Sequence, residues 1–197
     1  MRDTKFRWLG VPIVQVPHNL QAYQEIIWDV KPNLIIETGV KHGGSILFSA
    51  SMLLLLEACG EIKNGKVIGI DIKIPVITKL TDKIRLFKGS SINQNIVAKV
   101  RRLSKDKKVL IFLDSNHSHD HVLAELNTYA SLVSVGSYCI VEDTGIEDLS
   151  LFKKGSRGWS KGDNPKTAVW EFMKKNRNFV IDNKFKGHPQ GFLRRVK

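Results

Sequence analysis

Short apolar runs alternate with longer amphipathic stretches along the chain. That alternation predicts repeated strand–helix–strand units stacked into a parallel sheet. Runs rich in Val, Ile, Leu and Phe fall at residues 33–37, 66–71, 84–87, 108–114 and 136–142. Each is too short for a helix and nearly continuous in hydrophobicity, as a strand covered on both faces reads. The intervening stretches predict helices over 20–30, 44–59, 93–103 and 119–133, with Pro32 stopping the first. After Glu142 the periodicity fades. Residues 144–163 hold several Gly, Ser and Lys and read as a long loop, which in a compact domain usually serves function. Asp163 or Asn164 then caps a helix with Pro165 near its first position, ending near Lys175. Residues 179–182 and 191–196 read as a final antiparallel pair at the sheet edge. The expected fold class is α/β, a single Rossmann-like, doubly wound domain with a mostly parallel seven-stranded sheet. Ligands are expected at the carboxyl ends of its strands.

With 197 residues the chain suits one domain, taken as 1–197, rather than two. The longest apolar run, Ile46 to Leu56, is about half of what spans a bilayer, so no membrane span is expected. Nothing near Met1 reads as a signal peptide. Cys59 and Cys139 lie far apart in apolar segments and read as buried free thiols of a reducing compartment, which makes the cytoplasm the expected location.

Charge changes this picture only in the last quarter. Residues 151–197 hold 13 Lys and Arg against 3 Asp and Glu, whereas residues 1–150 hold 18 against 16. The net charge of +12 therefore describes a basic C-terminal face, either simply solvated or turned toward an anionic substrate or partner.

The first predicted strand runs into Glu37-Thr-Gly39-Val-Lys-His42-Gly43-Gly44-Ser45. Glycine lets backbone approach a ligand, and the next helix start offers unpaired N–H groups. The dinucleotide fingerprint is not matched. An acid ahead of the first glycine instead suits a nucleoside with a cationic amino-acid tail. Glu37, Gly39, His42, Gly43 and Ser45 are the candidate contacts. Asp71, at the tip of the second strand, is placed for ribose hydroxyls, and Ser90 and Ser91 for the base. Plain turns and solvated carboxylates would explain these residues equally.

Asp114, Glu142 and Asp143 close the fourth and fifth strands, whose tips lie ~4.8 Å apart when adjacent. An all-oxygen set of this kind suits Mg²⁺, Mn²⁺ or Ca²⁺, which could lower the pKa of an acceptor hydroxyl. His117-Ser-His119-Asp-His121 admits three readings. His117 can be a general base, the stretch can be an ordinary helix start, or His117 and His121 can ligate iron in a hydroxylase.

Taken together, these residues resemble the cephalosporin hydroxylase family, similar to metal-dependent rhamnosyl and other sugar O-methyltransferases. The matching segments are Trp8-Leu-Gly, Leu20-Gln-Ala-Tyr-Gln-Glu25, the turn from Leu34 to Ser45, and Val67 to Asp71. They continue with Phe112 to Leu126, Gly136 to Asp143, Asn164 to Phe172 and Gly191 to Val196. The resemblance implies a methyltransferase with S-adenosylmethionine in the cleft of the first three strand ends, Asp114 among its contacts. It implies Mg²⁺ on Asp114, Glu142 and Asp143, and a catalytic base at His117. The acceptor would be a sugar or other small molecule, shaped for by the 144–163 loop with Arg157 and Trp159, under an N-terminal lid segment, 1–32. Apolar residues from Trp8 to Val16 ask for a cover, such as a second copy in a homo-oligomer. The rivals are the iron hydroxylase, a nucleic-acid methyltransferase suggested by the basic quarter, and a non-catalytic ligand-binding module. Against nucleic acid as partner, the stretch after the fourth strand reads Asp114-Ser-Asn-His rather than the Asn/Asp-Pro-Pro-aromatic motif of base methylation.

Overall fold

The computed structural model describes residues 6–148 and 158–197. The chain opens with a two-rung antiparallel hairpin, β1 (Arg7–Trp8) and β2 (Val11–Pro12), before helix α1 (Pro17–Val30). Then come β3 (Leu34–Thr38), α2 (Gly44–Ala58), β4 (Lys66–Asp71), β5 (Ile84–Lys88), α3 (Gln94–Ser104), β6 (Val109–Leu113), α4 (His119–Tyr129) and β7 (Tyr138–Val141). After a 3₁₀ turn at Thr144–Asp148 the chain continues through α5 (Pro165–Lys175), β8 (Phe179–Ile181) and β9 (Phe192–Arg195).

Seven strands form one sheet in the order β5-β4-β3-β6-β7-β9-β8. The run from β5 to β7 is parallel, and β9 lies antiparallel to both β7 and β8. This is the Rossmann-like sheet expected from the apolar runs. Pleating sorts the side chains cleanly. Leu34 and Ile36 of β3 and Val109, Ile111 and Leu113 of β6 enter the core beneath α3, α4 and α5. Ile35, Leu110 and Phe112 alternate to the opposite core, beneath α1 and α2. Helix α2 is buried almost all round, from Ile46 to Leu56, which explains the longest apolar run as core. Among the described residues no helix is long and apolar enough to cross a membrane.

The strand order reverses between β3 and β6, so their carboxyl ends diverge from the connections on either side and leave a crevice there. The N-terminal segment closes over one wall of it. Gly44 makes this possible, because a Cβ there would sit 2.3 Å from the Pro12 carbonyl oxygen. The hairpin is then anchored by Trp8, whose Nε1 donates to Ser51 Oγ at 3.0 Å and whose ring meets Phe48 edge-on.

Four expectations are corrected in whole or in part. Cys139 is buried, but Cys59 is exposed, because it falls at the C-cap of α2 just as the helix leaves the core. Ile13 is 2% exposed within the chain's own core, so the apolar N-terminal stretch is covered in part by α1 and α2, while Phe6 and Leu9 stay exposed. The basic C-terminal quarter is not wholly solvated: Lys166 is buried and ion-paired with Asp148 at 2.7 Å. Arg195 likewise spends its guanidinium on the carbonyls of Ser131 and Val133. Within 144–163, a 3₁₀ turn and a Ser160–Asp163 bridge replace part of the expected loop. Arg157 lies outside the described residues.

Asn164 is the N-cap of α5, with a reciprocal bond to Thr167, and its amide also reaches Glu147 and the Ser160 carbonyl. Replacing it removes both a cap and the clasp on the preceding loop. Asn164→Ala should cost about 2 kcal/mol, the upper end for a cap, in urea unfolding at constant m-value. A loss under about 0.5 kcal/mol would show the clasp to be idle.

Candidate active site

A cleft of about 560 Å³ opens at the carboxyl ends of β3, β4, β5 and β6, lined by Gly39, Asp71, Ser90, Ser91, Ser115 and His117 among others. Its first wall is the turn after β3. Gly39 has φ +83°, and a Cβ there would overlap the Asp114 carbonyl oxygen at 2.0 Å. Only glycine lets the two strand tips come this close. Lys41 N–H then donates to Asp71 Oδ2 and Lys73 N–H to Asp71 Oδ1, both at 2.8 Å, which fixes that carboxylate at the cleft's edge.

Glu37 points inward and is 3% exposed, accepting from Ser45 Oγ. Burial pushes its carboxyl up to about 8, against the Ser45 bond, and the charges of Glu142 and Asp71 push the same way. Beside it lies a void of about 20 Å³ walled by Gln15, Gly39, Lys41, His42, Ser45 and Asp114. Gly43, at φ +92°, faces Pro75 and Ile77 instead.

The tips of β6 and β7 carry the acidic group. Ligand atoms of Asp114, His117 and Asp143 all lie within 4.8 Å of one another. His117 Nδ1 stands 3.8 Å from Asp143 Oδ2, and its ring meets Trp159 in a T-shaped contact. Glu142 lies alongside but deeper, 4% exposed, and takes a bond from Gln15 Nε2. Asp114 is held well above the usual carboxylate range, first by burial and then by the charges of Glu142, Asp143 and Glu37. Among the described residues neither Asp114 nor Glu142 has a Lys or Arg partner. Such a group either holds protons or welcomes a cation. A hard divalent ion fits these oxygen donors, with the Asp114 and Glu142 carboxylates meeting no Lys or Arg among the described residues.

His121 is drawn elsewhere. Its Nε2 sits 3.1 Å from Ser91 Oγ on the cleft wall and 3.7 Å from Glu125, a fully buried carboxylate that also accepts from Ser115 Oγ. His119 binds Thr167 and Glu171 of α5. The stretch thus splits three ways, and the cluster within reach of one ion contains His117 but not His121.

Sequence reasoning missed Gln15, Asn19, Tyr23 and His188, which surround Glu142 and Asp143 from behind. Asn19 and Tyr23 left a trace, as polar groups one turn apart on the apolar stripe of α1. Gln15 left none.

The fold and cleft define a Rossmann-like domain with an acidic site at the topological switch point. The model of the Rhamnosyl O-methyltransferase/CmcI family matches residues 2–196, and the chain belongs to that family. It is 30% identical over 155 residues to a rhamnosyl O-methyltransferase of Mycobacterium leprae (strain TN), an alignment covering 77% of this chain and 66% of that one. A rhamnosyl O-methyltransferase of Mycobacterium bovis (strain BCG / Pasteur 1173P2) is 30% identical over 148 residues, covering 73% and 58%. The chain thus spans less than two thirds of the length of either relative. Among solved structures, a CmcI form with Mg and SAM superposes with TM-score 0.70 at 20% identity, over 98% of this chain and 78% of that one. The mycinamycin-pathway methyltransferase MycE, solved with Mg, SAH and mycinamycin VI, gives 0.64 at 18% identity, over 90% and 49%.

The raised carboxyl at Glu37 sets a pH dependence. Between its ordinary value and about 8 the folded metal-free protein binds more protons there than the unfolded chain, so stability falls as pH rises through that window. Melting of the metal-free protein should drop from pH 5 to pH 8, and Glu37→Gln should flatten the slope. A wild-type slope unchanged in Glu37→Gln would contradict the assignment.

Proposed function

We propose that the chain transfers the methyl group of S-adenosylmethionine to a hydroxyl of a sugar or natural-product acceptor with the help of Mg²⁺. One observation carries this reading: Asp114, His117 and Asp143 converge beside a cleft whose other edge holds Asp71. Family membership supports it, as do the relatives' names and the ligands named for CmcI and MycE. The 144–163 segment, with Trp159 against His117, shapes the acceptor side, and residues 1–32 act as its lid. We place the protein in the cytoplasm, as a homo-oligomer, in keeping with its free thiols and exposed Phe6 and Leu9.

S-adenosylmethionine supplies an electrophilic methyl, and a divalent cation supplies positive charge that acidifies a nearby hydroxyl. The residues do the rest. Asp71 orients the ribose, with Ser90 and Ser91 beside the base, and Gly39, His42 and Ser45 make room near Glu37 for the amino-acid tail. Asp114, Glu142 and Asp143 would hold the cation. His117, at the cleft wall, takes the proton from the acceptor hydroxyl as its oxygen attacks, and alignment supplies much of the rate.

Calorimetric titration should show micromolar S-adenosylmethionine binding to the wild type. His117→Ala should keep that affinity within about threefold yet lose about 10²- to 10⁴-fold in turnover on a methylated sugar acceptor, the usual share of a general base. Asp114→Ala should abolish the response to Mg²⁺. Wild type that binds no S-adenosylmethionine, or Asp114→Ala that turns over fully in chelator, would overturn the reading.

A further inference from the structure

His188 sits in the turn Gly187-His-Pro-Gln-Gly191 between β8 and β9, remote in sequence from every residue of the acidic site. Two glycines press this turn into the body of the fold. A Cβ on Gly187 would lie 1.7 Å from Asn19 Oδ1 of α1, and one on Gly191 would lie 2.2 Å from the Val141 carbonyl oxygen of β7. Only bare backbone reaches so far in, and the result is a histidine 2% exposed between α1 and the tip of β7.

The bonds of the ring run in one direction. Asp143 N–H donates to His188 Nδ1 at 3.0 Å, so Nδ1 is the unprotonated nitrogen and Nε2 carries the hydrogen. Nε2 faces Tyr23 Oη at 2.6 Å and the Asn19 side-chain amide at 2.9 Å. Tyr23, fully buried and held well above its ordinary value by burial and by the charge of Glu142, stays a phenol, and His188 Nε2 itself lies 3.8 Å from Glu142 Oε2. Gln15 holds the same carboxylate. The residue whose amide His188 accepts is also unusual: Asp143 is a non-glycine at φ +55°, a conformation that L side chains rarely adopt. Without a partner for that amide, the turn that presents the Asp143 carboxylate beside Asp114 and His117 would keep the Ile146 N–H bond to the Asp143 carbonyl but lose its hold on the Asp143 amide.

We infer that His188 is a positioning residue: through Nδ1 it locks the left-handed turn at Asp143, and its buried ring, held against Tyr23 and 3.8 Å from Glu142 Oε2, backs the second acid, so that both acids of the β7 tip are set for a divalent cation. This rests on the proposed cation site. It goes beyond that site by assigning its geometry to the turn between the antiparallel strands β8 and β9. Ligands held by such outer partners typically lose 10–100-fold in metal affinity when the partner is removed.

The test is Mn²⁺ binding to the full chain without any acceptor or S-adenosylmethionine, followed by the electron paramagnetic resonance signal of free Mn²⁺. His188→Ala should weaken binding at least ~10-fold. His188→Asn places an acceptor where Nδ1 stood and should restore affinity to within about threefold of wild type, while His188→Gln, which keeps only the Nε2 side, should not. Circular dichroism melting separates folding from positioning, since Asn and Gln variants should melt alike yet bind differently. If wild type takes up no Mn²⁺, the cation site itself fails. If wild type binds and all three folded variants bind equally well, the site stands and the role of His188 falls. If Asn and Gln rescue equally, the Nδ1 bond to Asp143 is not the lock.

Discussion

Carboxylates gathered out of water at the tips of three neighbouring parallel strands, β3, β6 and β7, are the interaction on which the rest of this molecule depends. Glu37, Asp114 and Glu142 are largely withdrawn from solvent, and each carboxyl is raised first by that burial and then by the charge of neighbouring acids, Asp143 in the case of Glu142. Left alone, such a group favours protonation and costs the fold stability at neutral pH. A bound cation reverses the sign of that cost. The same burial that destabilises the metal-free protein strengthens attraction to a divalent ion, because little water screens the charges.

The scaffold is arranged to sustain this. Reversal of strand order between β3 and β6 opens the crevice, and Gly39 lets the β3 turn touch the Asp114 backbone. The two cores on either face, built from alternate residues of the same strands, hold those tips rigidly. Polar support arrives from both chain ends: Gln15, Asn19 and Tyr23 from the N-terminal segment, and His188 from the last turn. The site is thus clasped by the two segments that lie outside the central parallel units.

What could be read in advance follows from range. Buried parallel strands announce themselves by continuous hydrophobicity, and their terminal acids by position, so β3 to β7 and Asp71, Asp114, Glu142 and Asp143 were all legible. The antiparallel β8 and β9 were legible too, since both runs are apolar. The hairpin at Arg7–Pro12 was not, because two-residue strands carry no periodicity and depend on Gly44 and Ser51 far downstream. Nor was the division of labour among the histidines, since His117, His119 and His121 differ only in which distant element each meets. His188 was invisible for the same reason. Its role comes from contacts with residues 169 and 165 positions away, Asn19 and Tyr23. The tight glycines on either side were the one local hint.

The most direct measurement is diffraction from crystals grown with Mn²⁺ and S-adenosylhomocysteine, with data collected at the manganese absorption edge. The account predicts one strong anomalous peak at the β6 and β7 tips, within coordination distance of Asp114 and Asp143, with the nucleoside in the adjoining cleft beside Asp71. A peak on His121 or His119 instead, or none at the acids while the cleft is filled, would contradict it.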